Sequence, residues 1–120
     1  MSDYRAPIKN MRFVMDEIAG FQQLSQIPAY AEATPDMADA ILDEAAKFTR
    51  EVLAPLNRVG DTQGCTWTPE GVTTPDGWKE AYNAFREAGW SGITLPTEYG
   101  GQGLPNTLGI AVQEMVCSAN

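Results

Sequence analysis

The sequence predicts an all-α domain, with helices packed in a bundle-like arrangement and joined by long ordered loops. Apolar residues recur at helical spacing in several stretches, and two of these stretches begin with the same Thr-Pro-Asp tripeptide. Strands do not alternate with helices as they would in a doubly wound sheet. With 43% apolar residues in 120, the chain has enough apolar surface to form a core.

The first helix is predicted in the stretch MRFVMDEIAGFQQL, with Asn10 as its N-cap. Val14, Ile18, Phe21 and Leu24 fall at helical spacing in this stretch. We therefore expect these side chains to form its buried face.

The second helix is predicted to begin at the tripeptide Thr34-Pro35-Asp36. Thr34 suits the N-cap, Pro35 suits the first helical position, and the Asp36 carboxylate faces the positive end of the helix dipole. Pro55 is expected to kink or end the helix near its last turn. The predicted apolar stripe consists of Met37, Ile41, Ala45, Phe48, Val52 and Leu56.

Residues 57–74 are predicted to form a loop, with Trp67 and Val72 reaching into the core. A second Thr-Pro-Asp tripeptide at 74–76 predicts the start of another helix, and Gly89 is expected to end it in the left-handed conformation. The predicted buried face of this helix consists of Trp78, Ala81, Tyr82, Phe85 and Ala88.

A last helix is predicted in TLGIAVQEMVCSAN, capped by Asn106 or Thr107. No later element is present to cover it, so we expect this chain by itself to expose apolar side chains such as those of Leu108, Val112 and Met115. Its apolar face consists of Leu108, Ala111, Val112, Met115 and Ala119.

Composition excludes several classes of function. The net charge is −8, and no Lys or Arg follows Arg86, which argues against nucleic acid or an anionic membrane as a partner. No apolar run approaches the length of a membrane span, and the N-terminus has no apolar signal segment. A cytoplasmic location is therefore expected.

Residues suited to catalysis or metal binding are scarce. Histidine is absent, and Cys65 and Cys117 are 52 positions apart without companion ligands, so no metal site is expected. The two cysteines could pair, but a reduced state fits a cytosolic chain better. A run of acidic residues fits a helix N-terminus and a solvated face rather than a carboxylate site: Asp36, Asp39, Asp43 and Glu44.

The stretch GWSGITLPTEYGGQGLP, Gly89 to Pro105, raises the question of a phosphate-binding loop. Gly101 and Gly103 would begin a G-x-G-x-x-G fingerprint, but Asn106 occupies the third position, and the stretch has no Lys. We therefore expect a structural connector, in which glycines allow positive φ or close approach and Pro96 and Pro105 fix the chain direction. Its expected apolar anchors are Trp90, Ile93, Leu95, Tyr99 and Leu104.

The same stretch, followed by a helix ending QEMVCSAN, resembles the N-terminal helical domain of the acyl-CoA dehydrogenase family. The start, YRAPIKNMRFVMDEI, and the later segment FTREVLAPLNRVGDTQGC resemble larger bacterial members with an N-terminal extension, a group that includes methylthio-acyl-CoA dehydrogenases. The resemblance implies an extension with one helix at 1–33 and the family's helical domain, incomplete at its C-terminal end, at 34–120. The matching residues are Gly89, Trp90, Gly92, Ile93, Pro96, Glu98, Tyr99, Gly100, Gly101, Gly103 and Glu114.

The resemblance implies a parent enzyme that uses FAD to oxidise an acyl-CoA to a trans-2-enoyl-CoA and passes electrons to an electron-transfer flavoprotein. In the family, later domains hold the flavin and supply the catalytic Glu, so neither Glu98 nor Glu114 is assigned that role. This piece is expected to pack one side of the acyl and flavin pocket, without catalytic, cofactor-binding or metal-binding residues of its own. Its expected partners are the remaining domains of the parent and further copies of it in a homo-oligomer. The residues expected to form a structural motif are Gly92, Pro96, Glu98, Tyr99, Gly100, Gly101 and Gly103.

A second interpretation remains open from the sequence. The chain could be a stand-alone helical protein-interaction module derived from the same family. It would then bind a partner through the surface that the later domains cover in the enzymes.

Overall fold

The computed structural model describes residues 3–120, and within them the chain is mostly helical, which confirms the predicted all-α class. The helices of these residues are all too short or too polar to cross a membrane. The helices and strands are α1 Ile8–Phe13, α2 Pro35–Phe48, α3 Ala54–Gln63, β1 Thr66–Thr68, β2 Gly71–Thr73, α4 Trp78–Glu87 and α5 Asn106–Ala119. Shorter π or 3-10 segments lie at Val14–Ile18, Phe21–Gln26, Pro28–Tyr30, Thr49–Leu53, Trp90–Gly92 and Thr97–Tyr99.

The N-terminal helix differs from its prediction. It begins at Ile8 rather than after Asn10, widens into a π turn over Val14–Ile18, and ends at Gly20, whose φ of 66° is left-handed. Its buried side chains include those of Met11 and Met15, whereas Val14 and Ile18 are exposed. The prediction that Val14 and Ile18 face the core was wrong because the face of this helix that packs on the core is the neighbouring one, which carries Met11 and Met15.

The helix that begins at Thr34 is longer than predicted. The Thr34 hydroxyl accepts a hydrogen bond from the Met37 N–H at 3.3 Å, so the predicted N-cap is confirmed. The chain then stays helical through the π turn Thr49–Leu53 and α3, so Pro55 does not end the helix, and residues 57–63 do not form the predicted loop. The other predicted effect of Pro55, a kink, stays a prediction. Pro55 lies in the first turn of α3, where a missing N–H is tolerated.

The buried face of α2 is also rotated from the predicted stripe. Of the predicted stripe only Ala45 is fully buried, and the other members are half-buried. The face packed against α5 instead carries mostly small side chains: Ala38, Leu42, Ala45 and Thr49. The Thr49 hydroxyl donates to the carbonyl oxygens of Ala45 and Ala46, at 2.8 and 3.1 Å, which satisfies this buried polar group.

Residues 66–73 form an antiparallel hairpin in place of the predicted loop. Trp67 pairs with Val72, and Thr66 pairs with Thr73. Both Trp67 and Val72 are exposed, so the prediction that they reach the core was wrong. A two-stranded ribbon turns its side chains to two opposite faces, and here it projects from the helices rather than packing on them.

The second Thr-Pro-Asp tripeptide is not a helix cap. α4 begins at Trp78 after Gly77, whose φ is 80°, and the side chain of Gln63 holds Asp76 through hydrogen bonds of 2.9 and 3.2 Å. Of the predicted buried face of α4, Ala81 is buried and Phe85 is half-buried, but the prediction was wrong for Trp78, Tyr82 and Ala88, which are exposed. The left-handed Gly89 at the end of α4, with φ 81°, confirms its prediction.

The core lies between the N-terminal segment, α2 and α5. The predicted face of α5 is confirmed, since Leu108, Ala111, Val112, Met115 and Ala119 are all buried. For the same reason, the expectation that this chain exposes Leu108, Val112 and Met115 was wrong. Met11, Met15 and Phe21 from the N-terminal segment cover them together with α2, so residues on both sides of position 33 share one core. The division of the chain at that position stays a prediction.

Candidate functional site

The glycine-rich stretch folds back on itself in front of α5. The Gln102 N–H donates to the Gly92 carbonyl at 2.9 Å, Leu104 to Ile93 at 3.0 Å, and Gly103 to Leu95 at 2.8 Å. The segment after Gly100 therefore runs alongside the segment before Pro96. The stretch is an ordered, internally hydrogen-bonded loop, and no part of it pairs as a strand with the described residues.

The glycines of this loop serve two different geometric needs. Gly100 and Gly103 have φ of 82° and 65°, a backbone conformation that residues with a side chain rarely adopt. Gly101 has ordinary φ, but a Cβ at this position would overlap the carbonyl group of Leu95 and lie 2.6 Å from the Leu95 Cβ. A Cβ at Gly92 would be 3.5 Å from the Gly101 Cα, which is an ordinary contact.

Six consecutive backbone donors of the loop are already used within it. Each N–H from Tyr99 to Leu104 donates to a main-chain carbonyl of the loop, at 2.8–3.1 Å. A phosphate-binding loop needs free N–H groups pointing at the ligand, and residues 87–120 add no basic side chain. Residues 99–104, which carry most of the glycines, therefore have no free N–H group to offer the pyrophosphate of a dinucleotide such as FAD.

The remaining motif residues do not form an acid–base pair. The Pro96 carbonyl accepts hydrogen bonds from the Tyr99 and Gly101 N–H groups, both at 3.1 Å. Glu98 and Tyr99 are exposed, and neither side chain has a hydrogen-bonding or ionic partner among residues 3–120. The arrangement therefore stabilises the turn after Pro96 and offers no buried proton-transfer group.

Two contacts join the loop to the start of α5. Leu104 packs against the core, and the buried Pro105 accepts a hydrogen bond from the Leu108 N–H at 3.0 Å. Gly109 allows α5 to approach the loop, because a Cβ there would lie 2.5 Å from Thr94 Cγ2. Of the predicted apolar anchors, Trp90, Ile93 and Leu104 pack on the body of the protein, whereas Leu95 and Tyr99 are exposed.

The acidic residues at the start of α2 do not converge on a common point. No group of three or more His, Cys, Asp or Glu side chains within residues 3–120 is placed to hold a metal ion. Asp39 instead pairs with Arg12, whose Nε lies 2.8 Å from its Oδ1. Cys65 and Cys117 are both exposed and are not joined to each other.

Sequence reasoning missed an ionic cluster that fastens the N-terminal segment to α2. Arg12 bridges Asp39 and Asp16, whose Oδ2 lies 3.1 Å from the Arg12 Nη2, and its guanidinium lies 5.8 Å from the centre of the Phe21 ring. The side chains of Arg12 and Asp16 are 17% and 18% exposed, whereas that of Asp39 is 57% exposed, so the Arg12–Asp16 pair is shielded from water and the Arg12–Asp39 pair only in part. The i,i+4 spacing of Arg12 and Asp16 could have predicted their ion pair from the sequence. Nothing in the sequence indicated that Arg12 also pairs with Asp39 on α2.

Tyr4 is a second residue that the sequence gave no reason to single out. Burial raises the pKa of its phenol, and the nearby negative charge of Glu114 on α5 raises it further, while a hydrogen bond with Ser118 lowers it. Tyr4 therefore anchors the start of the chain against α5 in its neutral form.

Two apolar grooves lie beside α5. The N-terminal groove, about 500 Å³, is lined by Pro7, Asn10, Met11, Val14, Met15, Ala19, Thr107, Ile110, Ala111 and Glu114. The C-terminal groove, about 290 Å³, is lined by Leu53, Leu56, Trp78, Ala81, Tyr82, Phe85, Val116 and Asn120. Most of the side chains that line both grooves are apolar, which is the kind of surface that binds apolar groups.

Comparison with known proteins places these features in a family. The chain is 37% identical to 3-methylmercaptopropionyl-CoA dehydrogenase of Ruegeria pomeroyi over 117 residues, 98% of this chain and 20% of that protein. It is 25% identical over its full length to the broad-specificity linear acyl-CoA dehydrogenase FadE5 of Mycobacterium tuberculosis, again covering 20% of that protein. It is 33% identical over 91 residues, 72% of this chain, to 15% of the butyryl-CoA dehydrogenase of Syntrophomonas wolfei.

The chain thus spans about one fifth of the length of these relatives. The similarity to the first of them includes residues that precede position 35, as expected from the resemblance of the N-terminal segment. The sequence model of the acyl-CoA dehydrogenase N-terminal domain matches residues 35–120, which include the glycine-rich loop and α5. The chain therefore belongs to the acyl-CoA dehydrogenase family, as an N-terminal domain of that family.

Proposed function

We propose that this chain is the N-terminal helical domain of an FAD-dependent acyl-CoA dehydrogenase that converts an acyl-CoA to a trans-2-enoyl-CoA. The observation that carries the proposal is the family match over residues 35–120, which covers α2 to α5 without a break. FAD, when bound, accepts the hydride that such an oxidation releases.

In this proposal the residues of this chain form part of the wall of the acyl pocket, and residues outside the chain carry out the proton transfer. The glycine-rich loop fixes the direction of α5, and the apolar surface beside α5 closes one side of the acyl pocket and keeps water out. The absence of a buried carboxylate in the loop, where Glu98 is exposed, supports a catalytic base outside these residues. The satisfied N–H groups of residues 99–104 likewise support a flavin site formed by other domains.

The proposal includes the working context of the enzyme. Electrons leave through an electron-transfer flavoprotein, the enzyme works in the cytoplasm as a homo-oligomer, and it acts in the breakdown of fatty acids or related acyl-CoA thioesters. The 37% identity to an enzyme named for 3-methylmercaptopropionyl-CoA makes this thioester the first substrate to test, and butyryl-CoA the second.

The test is made on the full-length protein whose sequence contains these residues. We expect an intact mass several times that of this chain, a flavin absorbance spectrum, and loss of that absorbance when a suitable acyl-CoA is added without oxygen. A native protein of the mass of this chain, without flavin, would favour the stand-alone interaction module instead.

A further inference from the structure

The N-terminal helix, residues 8–18, carries apolar side chains on its exposed side as well as on its buried side. Met11 and Met15 are buried in the core. Phe13, Val14 and Ile18 are large apolar residues too, yet they are 60%, 49% and 72% exposed. A helix that is apolar all round is normally covered on all sides, so we expect the exposed side to be covered in the working protein.

The exposed residues of this helix form two adjoining rows, each with a spacing of four residues. We call the two rows together the outer stripe, with Lys9, Phe13 and Glu17 in one row and Asn10, Val14 and Ile18 in the other. Residues four apart lie above one another on a helix, so each row follows the helix axis. Asn10 and Val14 also line the N-terminal groove, so the apolar surface continues from the stripe toward α5.

The charges of the outer stripe are placed symmetrically about Phe13. Lys9 precedes Phe13 by four residues and Glu17 follows it by four, which is about 6 Å along the helix in each direction. Neither Lys9 nor Glu17 forms an ion pair with any of residues 3–120. A second copy of the stripe, running antiparallel to the first, would therefore bring Phe13 opposite the partner subunit's Phe13 and Lys9 opposite the partner subunit's Glu17.

We infer that the outer stripe is a contact between two copies of this protein, packed antiparallel across a two-fold axis at Phe13. A symmetric dimer needs a surface that is its own complement, because the same residues face each other from both sides. The outer stripe has this property in its charges and in its apolar centre, whereas a partner of another sequence does not require it. The inference rests on the proposed function only for the homo-oligomer, and it names a surface on which two copies meet.

The first test is photo-cross-linking of the purified full-length protein, with p-benzoylphenylalanine in place of Phe13. We expect a product of twice the chain mass, in which position 13 is joined to residues 9–18 of a second copy. The same analogue at Tyr99, which is 79% exposed, is the control and should give no cross-link to residues 9–18. A cross-link from position 13 to another segment of its own chain, a cross-link to other residues of a second copy, or no cross-link would each overturn the inference.

Charge reversal tests the pairing of Lys9 with Glu17 in the same assay. Lys9→Glu alone or Glu17→Lys alone places like charges opposite each other twice, so we expect the yield of covalent dimer to fall several-fold. The double substitution restores opposite charges, and the yield should return toward that of the parent protein. Lys79→Glu, at an exposed position of α4, is the matched control and should leave the yield unchanged. A double variant as weak as the single ones would overturn the antiparallel pairing.

Acyl-CoA-dependent loss of flavin absorbance, measured on the same preparation, separates this inference from the proposed function. An active enzyme without the cross-link between residues 9–18 of two copies contradicts the inference alone. A protein that gives this cross-link, but lacks the activity, contradicts the proposed activity alone.

Discussion

Replacing Gly101 tests whether the glycine-rich loop depends on close main-chain approach. A Cβ at Gly101 would overlap the carbonyl carbon and oxygen of Leu95. These are backbone atoms, so no side-chain rotation can relieve the overlap, and the segment after Gly100 must move away from the segment before Pro96. Separation lengthens the hydrogen bond from the Gly103 N–H to the Leu95 carbonyl, which is 2.8 Å in the structure.

The cost of Gly101→Ala follows from these contacts. Overpacking costs about 1–3 kcal/mol, and weakening one or two backbone hydrogen bonds adds about 1 kcal/mol each, so we expect a loss of about 2–5 kcal/mol in the free energy of unfolding. Gly101→Val adds bulk at the same place and should cost more, which in the full-length enzyme lowers soluble yield, flavin content and turnover. Because native domains are stable by about 5–15 kcal/mol, we expect the alanine variant to fold and its stability to be measurable, whereas we expect little or no folded valine variant.

Urea unfolding followed by circular dichroism measures this effect, with two neighbouring glycines as controls. Gly100→Ala places a Cβ in open space but at φ 82°, and should cost about 1–2 kcal/mol from backbone strain alone. Gly92→Ala makes only an ordinary contact at 3.5 Å and should change the stability by less than about 1 kcal/mol. If Gly101→Ala cost no more than Gly100→Ala, the reasoning about close approach would be refuted.

The other predictions concern the N-terminal segment and the core, and each has a measurement of its own. Arg12→Gln should lower the free energy of urea unfolding by about 1–3 kcal/mol, since it breaks a shielded ion pair with Asp16 and a partly exposed one with Asp39, whereas the exposed Arg50→Gln should change it by less than about 0.5 kcal/mol. Equal effects of the two substitutions would mean that the ion pairs of Arg12 do not stabilise the fold. Met115→Ala leaves a cavity at a fully buried position and should lower the free energy of unfolding by about 2–5 kcal/mol, measured as a lower midpoint of thermal unfolding. Ile110→Ala, at an exposed position of the same helix, should leave that midpoint nearly unchanged. The raised pKa of Tyr4 in the folded chain means that the unfolded chain ionises first, so stability should fall as the pH rises above the ordinary value of 10.0. Tyr4→Phe should reduce this alkaline loss in denaturation curves recorded on either side of that pH, and an unchanged loss would remove Tyr4 from the explanation.

Some features of this protein were fixed by local sequence alone. The N-cap at Thr34, the left-handed end at Gly89 and the buried face of α5 depend on residues within a turn or two of one another, and all three were predicted correctly. The family was also readable from the loop and the helix that follows it, because both are continuous in the sequence and long enough to be specific.

Other features depended on what packs against each element. The helix runs past Pro55 because a π turn precedes it and places the proline in a first turn, and the buried face of α2 is the one that α5 contacts rather than the most apolar one. Leu108, Val112 and Met115 are buried because the N-terminal segment covers them, which no local pattern predicts. Sequence periodicity shows that one face of a helix is apolar, but only the tertiary structure decides which element covers that face. The apolar face of α4 at Tyr82, for example, is left uncovered by the other described residues.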